Sequence, residues 1–453
     1  MTHRTLPCAP RPLAAALALL LPATSLIGAE PPVTSAGPTV QVTTCADAGT
    51  GSLRAAFTAA VDGETIDLSQ LQCSAITLTT GELLSPSAAN TITVSASQLA
   101  PVTIDAAGNS RIFHHRGTGV LFANNLVIKN GAASSSSGTG GGCVYTLGSF
   151  FTQFVTISNC SFQASSHTPA RGGAVSALGT VSLFFSNVSG NSVKGSSALS
   201  GAGGIFAQSN TTLIYSTVDN NHNICSYGQL CKGGGIYSST INSSNSTISN
   251  NTAESGAGIF VMNGGAITQS TISTNVATGA AGGVFTSGAL NITSSTVTGN
   301  RAGFQIGAGV YLFTSQASNI TGTIVNGNTS QDGLYPSDVG GTSMSTITGS
   351  DNLIGASTRP VPIRTSAADP KLGPLQDNGG VTKTHLVGDC SPAIGRGSQG
   401  NFTFTWDQRG PPHNRVSGTA IDIGSTEYFT DVIFKDGFED VSAEKRIDQI
   451  CTI

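Results

Sequence analysis

Residues 246–260, STISNNTAESGAGIF, contain the two phrases from which the middle of this chain is built. The first phrase is a branched apolar residue followed three positions later by Asn, here Ile248 and Asn251. The second is a small-residue corner followed by an apolar pair, here Gly258 and Ile259-Phe260. Both phrases recur many times, and their spacing decides the fold prediction.

The corners are separated by 31, 31, 31, 23, 25 and 26 residues. They are Gly142, Gly173, Gly204, Gly235, Gly258, Gly283 and Gly309. The asparagines of the other phrase are Asn191, Asn221, Asn251, Asn275, Asn300 and Asn328. A period this regular indicates one structural unit per repeat, and short branched runs broken by Gly and Asn indicate strands rather than helices.

The predicted fold is all-β: a single-stranded right-handed parallel β-helix, a solenoid in which each repeat is one coil about 4.8 Å from the next. Ile and Val point inward, corner glycines allow tight turns with positive φ, and Ser and Thr face water. We expect each Asn to adopt the left-handed bend and to hydrogen-bond the Asn of the next coil. A structural role is therefore predicted for the Asn and Gly rows, with a ligand-binding Asn row as the alternative.

The two ends of the chain differ from the repeats. Residues 1–29 have a basic start, an apolar run of nine residues and a small residue at Ala29, the pattern of a secretory signal peptide. Removing it leaves 18 basic and 24 acidic residues, a net charge of about −6, which argues against nucleic acid or anionic membranes as partners. No later stretch reaches 18 apolar residues, so no transmembrane segment is expected in the mature chain.

Eight of the nine cysteines follow the signal peptide, an even number in an exported chain. Their spacing suggests the disulfides Cys45–Cys73, Cys143–Cys160, Cys225–Cys231 and Cys390–Cys451. Free buried thiols are the alternative, because spacing cannot prove connectivity.

Three stretches resemble known families. Residues 141–328 resemble the Gly-Gly-Ala/Ile repeats of polymorphic outer-membrane proteins. Residues 43–69, with GSLRAA at 51–56, resemble the CSLREA domain, although Ala55 stands where that family usually has Glu. DPKLGPLQDNGGVTKTHLVGDCSPAIGRG (369–397), DQRG (407–410) and IDIGSTE (421–427) together resemble the choice-of-anchor Q domain, with departures at Gly395 and at 424–427.

These resemblances imply an exported surface protein and divide the chain into five parts. They are the signal peptide (1–29), a CSLREA-like cap with the first coils (30–110), the β-helix repeats (111–345), a choice-of-anchor Q-like region (346–430) and a charged tail (431–453) that contains IFKDGFE. Within the cap, residues 52–61 read as a short amphipathic helix that covers the open first coil.

Catalytic chemistry on polysaccharides would require acidic side chains clustered on one face of consecutive coils. Between 141 and 331 the acidic residues are Asp219 and Glu254, which do not share a phase of the repeat. Neighbouring His114 and His115 should point to opposite faces of a strand and so should not share a metal. No cofactor is expected. Asp407, Arg409 and Asp422 are predicted to form a structural ion-pair set that fastens the last coils. The alternatives are a Ca²⁺ site with Asp407 and Asp422 as ligands, or a catalytic role.

The sequence therefore favours an exported bacterial β-helix protein, secreted or held at the outer cell surface, monomeric and without enzymatic activity. Its loops would contact glycan, matrix or another surface ligand. The sequence does not distinguish an adhesin from a stalk that acts only as a spacer. The alternative is a polysaccharide lyase or glycoside hydrolase of the pectate-lyase-like β-helix type.

Overall fold

The computed structural model describes residues 37–135, 140–165, 169–195, 200–225, 231–304, 307–330, 333–397, 404–416 and 420–428. In this part the chain forms a right-handed parallel β-helix of about ten coils with one short helix, as predicted. The predicted signal peptide (1–29) and charged tail (431–453) lie outside the described residues.

Each full coil contributes to four parallel ladders, which we name A, B, C and D in the order in which the chain visits them after a glycine corner. Ladder A consists of Leu83–Leu84, Phe113–His115, Val144–Thr146, Val175–Ala177, the first parts of Ile205–Ile214 and Ile236–Ser244, then Ile259–Val261, Val284–Thr286, Val310–Leu312 and Val339–Gly341. Ladder B consists of Thr39–Gln41, Glu64–Asp67, Ile92–Ser95, Val120–Asn124, Ser149–Gln153, Val181–Phe184, the second parts of those two long strands, then Gly265–Thr268, Leu290–Thr293, Ala317–Thr321 and Thr346–Thr348.

Ladder C consists of Ala75–Thr77, Val102–Asp105, Leu126–Lys129, Thr156–Ser158, Asn187–Ser189, Thr217–Asp219, Thr247–Ser249, Thr271–Ser273, Thr296–Thr298, Ile324–Val325, Ser350–Ile354 and Ile363–Ser366. Ladder D consists of Ala132–Ser135, Ser161–Ala164, Ser192–Gly195, His222–Cys225, Thr252–Ala253, Val276–Ala277, Arg301–Ala302, Thr329–Ser330 and the antiparallel Tyr335–Pro336. The longer coils carry their extra residues after ladder D, before the next glycine corner, and several of these residues lie outside the described part.

The interior is one continuous apolar stack. The branched residues of ladder C stand in register from coil to coil, so that Ile248 pairs with Val218 below and Ile272 above. All three side chains are fully buried in a core that runs from Val42 to Ile354. Each such side chain contributes roughly 1.5–3 kcal/mol through burial, which a single coil could not provide alone.

The six repeat asparagines form a buried chain of hydrogen bonds along the rod. Their side-chain Nδ2 atoms donate to the Oδ1 of the next Asn at 2.8–2.9 Å, from Asn191 to Asn328, and Asn328 donates to Asp338 at 2.8 Å. All six are fully buried. The prediction that these residues take the left-handed bend is wrong. The bend lies one position earlier, for example at Asn220 (φ 53°) and Asn250 (φ 54°), which frees the following Asn side chain to turn inward.

The corner glycines also differ from the prediction, because positive φ occurs one or two residues before them, for example at Gly256 rather than Gly258. Gly258 itself is needed for space. A Cβ there would lie 2.7 Å from the carbonyl oxygen of Gly283 and 3.0 Å from Nδ2 of Asn275. The corner row therefore makes room for the Asn row, and the two rows are one structural feature.

The N-terminal helix spans Leu53–Ala59, with Ser52 as its N-cap, whose hydroxyl accepts from the amide of Ala55 at 3.2 Å. Leu53 and Phe57 are buried, and the Phe57 ring lies 5.3 Å from that of Phe113. The helix ends earlier than the predicted 52–61 because Ala60 is already extended (φ −55°, ψ 142°).

Two of the four predicted disulfides are present, Cys45–Cys73 and Cys143–Cys160. Cys231 and Cys390 are also disulfide-bonded. Their predicted partners are Cys225, whose side chain is outside the description, and Cys451, which lies beyond it. Among the described residues, no helix is both long and apolar enough to cross a bilayer.

The described residues of 369–428 (369–397, 404–416 and 420–428), which we call the C-terminal region, do not extend the rod but pack back across ladder C. Thr247 donates to the carbonyl of Lys383 at 2.6 Å, and Thr271 donates to Oε1 of Gln408 at 2.6 Å. The prediction that the outward Ser and Thr face water is therefore wrong on these coils. The contact reaches the middle of the rod, since Gly410 lies against Tyr215.

Candidate ligand-binding face

A row of aromatic side chains follows the outside of ladder A. Successive coils place Tyr145, Ser176, Phe206, Tyr237, Phe260, Phe285 and Tyr311 at the same register position. Their neighbours on either side in the strands point into the core, because side chains alternate across a strand. The ring centroids from Phe206 to Tyr311 are 4.7–5.4 Å apart, close to the spacing of the coils.

The row becomes more exposed towards its C-terminal end. Phe260 is 3% exposed because its faces are stacked between the rings of Tyr237 and Phe285. Phe206 is 7% exposed because one face stacks on Tyr237 and Arg171 lies over its ring. Beyond Tyr311 the same position is occupied by Gly340, so no further side chain stacks there. Phe313, 54% exposed, stands beside the row with its ring 6.0 Å from that of Phe285. An accessible aromatic surface therefore lies at this end.

A shallow groove borders the row on the side of ladder B. It is lined by Arg171, Phe206, Gln208, Tyr237, Ser239, Met262 and Asn263. Asn263 donates to the hydroxyl of Ser239 at 2.7 Å, and Met262 is 42% exposed. Rings, a thioether, amides and hydroxyls thus share one strip of surface. Such a strip offers apolar contact together with neutral hydrogen-bonding groups.

Cationic side chains lie over three of the rings. The guanidinium carbon of Arg111 is 5.4 Å from the centre of the Tyr145 ring, and that of Arg171 is 5.1 Å from the Phe206 ring. The ammonium nitrogen of Lys232 is 5.0 Å from the Phe260 ring. In each case the cation comes from the coil below the ring that it covers. Arg171 and Lys232 also stand at the same register position, through Gly201 of the coil between them.

The N-terminal end of the face holds a charged cluster. Glu82 accepts from Arg111 and lies 2.9 Å from Nδ1 of His114, and the His114 ring meets the Tyr145 ring edge-on at 5.1 Å. Burial alone would raise the pKa of Glu82, but the bonds from His114 and Arg111 outweigh it and hold that pKa below its ordinary value. Sequence reasoning missed Glu82, because only the pairing of Leu83–Leu84 with Phe113–His114 brings it there.

His115 points the other way and is fully buried, with Nδ1 2.9 Å from the Thr146 hydroxyl and Nε2 3.0 Å from the Ala89 carbonyl. Burial lowers its pKa, which favours the neutral imidazole. His114 and His115 therefore lie on opposite faces of the strand, as expected for adjacent strand residues.

The acids considered at the sequence level do not meet on this face. Asp219 lies in ladder C and accepts from Ser249 and Asn250. Glu254 follows ladder D and accepts from the amide of Cys231 at 3.1 Å.

The candidate metal ligands lie inside the C-terminal region. Asp407 is fully buried and accepts from Arg409 and from the amide of Glu427. Asp422 accepts from the amides of Gly395 and Tyr428. Across the described ranges, no three or more His, Cys, Asp or Glu side chains are placed to hold a metal ion. Ile423, next to Asp422, packs against Ile324 and Leu353 of the last coils, and the main-chain carbonyl of Asp407 accepts from Asn245 at 3.2 Å nearer the middle of the rod.

Comparison with known proteins gives one structural likeness. No protein-family model matches the chain, and no curated protein matches it. The chain is similar to the crystal structure of the pectate lyase Pel9A, with 14% sequence identity and a TM-score of 0.49 over 87% of this chain and 97% of that one.

Proposed function

We propose that this chain is an exported bacterial β-helix protein, acting as a monomer, that contacts glycan through the outer face of ladder A without cleaving it. The observation that carries the proposal is the aromatic row with its groove. Apolar rings can pack on the C–H faces of sugars, and the amides and hydroxyls of Gln208, Ser239 and Asn263 can bond sugar hydroxyls. The row runs along the rod, which suits an extended polymer better than a small molecule.

The same face lacks the usual machinery for cleaving glycans within the described residues. Hydrolysis requires two carboxyl groups about 5–9.5 Å apart across the bond that is cut. Along the described part of the ladder A face, Glu82 is the carboxylate that we find, and it is bonded to Arg111 and His114. A display role for the coils is therefore favoured over the catalytic alternative.

That alternative, a polysaccharide lyase or glycoside hydrolase, has one arrangement in its favour. Glu82 fixes Nδ1 of His114 and so leaves the other ring nitrogen as a possible proton acceptor at the end of the face. We therefore include product formation in the test.

The test uses the oxidised mature chain and affinity electrophoresis in gels that contain polygalacturonate, alginate, hyaluronan or dextran. The double variant Tyr311→Ala with Phe313→Ala removes the accessible rings. Its matched control is Tyr335→Ala, because Tyr335 is 48% exposed but lies on ladder D. We expect retardation by at least one polymer, a loss of roughly tenfold or more in affinity for the double variant, and no change for the control.

Equal retardation of the wild type and the double variant would contradict the proposed face. If none of the four polymers retards the chain, the result would favour the hypothesis that the protein is a stalk without a glycan ligand. New reducing ends or unsaturated products in parallel incubations would establish the catalytic alternative, and His114→Ala would then be expected to abolish them.

A further inference from the structure

The cations of the ladder A face recur on every second coil. Arg111 lies in the coil of His114, Arg171 in the coil of Ser176 and Lys232 in the coil of Tyr237. Residues with small side chains occupy the coils between. The backbone bridges Arg171 to Gly201, Gly201 to Lys232 and Lys232 to Ser255 fix this alternation. Since coils lie about 4.8 Å apart, Arg171 and Lys232 stem from backbone positions about 9.6 Å apart.

Among the described residues, Arg171 and Lys232 form no ion pair, whereas Arg111 is paired with Glu82. The acid nearest in register to Lys232 is Glu254, which precedes Ser255 and is bonded to the backbone amide of Cys231. The positive field of Arg171 also reaches Tyr145 and Tyr237, where it counteracts the rise in pKa that burial causes. Two cations held over rings thus remain available to an anion outside.

From this spacing we propose that the glycan taken by the ladder A face is a polyanion whose acid groups recur on one side with every second sugar. This inference rests on the proposed function and specifies its ligand. Two coils match the length of two sugars in an extended chain, so carboxylate or sulfate groups repeating with each disaccharide would meet Arg171 and Lys232 in turn. Gln208 of the groove, in the coil between them, would contact the intervening sugar. Charge complementarity selects this occupant over a neutral polymer.

The probe is hyaluronan, which carries one carboxylate per disaccharide, and its control is the same polymer after its carboxyl groups are reduced to alcohols. We expect the wild-type chain to bind hyaluronan at least tenfold more tightly than the reduced polymer at low salt, and the difference to shrink as salt rises. Arg171→Gln and Lys232→Gln should each weaken binding of hyaluronan roughly three- to tenfold. The charge control Lys194→Gln should have no effect, because Lys194 is on ladder D.

A charge-neutral rearrangement tests the spacing itself. The double variant Lys232→Ser with Ser255→Lys keeps the net charge but moves the cation up one coil, so that it lies about three coils, roughly 14 Å, from Arg171. We expect it to bind hyaluronan as weakly as Lys232→Gln does. Unchanged binding by this variant, or equal binding of hyaluronan and the reduced polymer, would overturn the inference.

The two proposals fail in different ways. If both polymers bind alike and only the Tyr311→Ala with Phe313→Ala variant loses affinity, the glycan-contacting face stands and the polyanion inference is wrong. If neither polymer binds and none of the other polysaccharides is retarded, both are wrong.

Discussion

At the scale of single residues, the most consequential feature is the shared design of the Asn and Gly rows. Asn251 accepts from both the backbone amide and the side chain of Asn221, and it donates to Asn275 and to the carbonyl of Val218. These contacts satisfy polar groups at a buried turn, where unpaired groups would be costly. The corner glycines leave the space in which these side chains lie.

Replacing Asn251 with Ala should therefore destabilise the rod by about 2–4 kcal/mol, because several buried partners lose their hydrogen bonds at once. The local signature is faster hydrogen exchange at the amide of Asn221, which donates to Asn251 at 3.0 Å. Asn291→Ala is the control, since Asn291 is exposed on ladder B and should change neither measurement. If hydrogen exchange at the amide of Asn221 is unchanged, the chain of side-chain hydrogen bonds contributes little to the stability of the rod.

The repeat phrase was enough to predict the branched core residues and the rows, since their spacing equals the length of a coil. It was not enough to place the left-handed residue, because Asn220 and Asn221 are the same residue type in successive positions. Only the backbone geometry distinguishes the Asn that bends from the Asn that turns inward.

At the scale of elements, the cap and the first coils are joined by one carboxylate. Asp47 accepts from Arg54 and from the amides and hydroxyls of Thr79 and Thr80, at 2.7–3.1 Å. Burial alone would raise its pKa, but these bonds hold the pKa well below the ordinary value of 3.8. Because the folded pKa is lowered, the stabilisation is fully present above pH 3.8 and is lost as the pH falls below it.

Asp47→Asn should accordingly loosen the cap at neutral pH, by about 1–3 kcal/mol, and the difference from wild type should shrink as the pH falls below 3.8. Hydrogen exchange at the amides of Thr79 and Thr80 measures this directly, with Asp219→Asn as a distant control. A difference that stays constant down to low pH would contradict the role given to the charge.

Ladder C shows where pattern reasoning at the element scale fails. Its outward Ser and Thr read as a solvated face, which is their usual place on a strand. The C-terminal region covers them instead, with Thr296 accepting from the amide of Ser425 at 3.1 Å and Ser273 bonded to His385 at 2.8 Å. These hydrogen bonds join residues that are more than a hundred positions apart, so they produce no repeating pattern in the sequence.

At the scale of the whole molecule, the C-terminal region carries a buried charge network that should make its docking sensitive to pH. Burial raises the pKa of Glu427 to about 8 and that of Asp422 above its ordinary value, while Arg415 opposes both shifts. Because the folded pKa of Glu427 is raised, its contribution to docking is greatest below pH 4.5 and declines as the pH rises to about 8.

The single tryptophan, Trp406, reports on this region, since its carbonyl accepts from Gln269 of the rod at 2.7 Å. We expect its fluorescence to shift towards that of solvent-exposed tryptophan as the pH rises from 6 to 9. Glu427→Gln should flatten the transition, and Glu254→Gln should leave it unchanged. If the Trp406 fluorescence of the wild type does not change between pH 6 and 9, the proposed coupling between ionisation of Glu427 and docking of the C-terminal region is wrong.

The architecture and the core could be predicted from the sequence because they follow from a local period. The ligand face was not predicted, although its rings stand second in the apolar pairs after the corners, because the repeat does not show that these side chains point outward. Glu82 was missed because only the register of the coils brings it to this face, and the packing of the C-terminal region across ladder C was missed because its contacts follow no period. The resemblances to the CSLREA and choice-of-anchor Q domains stay predictions.

The central claim, that ladder A is the face that meets glycan, is tested most directly by hydroxyl-radical footprinting of the oxidised chain with and without hyaluronan. The account predicts protection at Met262, Tyr311 and Phe313, with Tyr335 and Ile363 on other ladders unchanged. Protection confined to the other ladders, with the ladder A residues oxidised as fast as in the free chain, would contradict it.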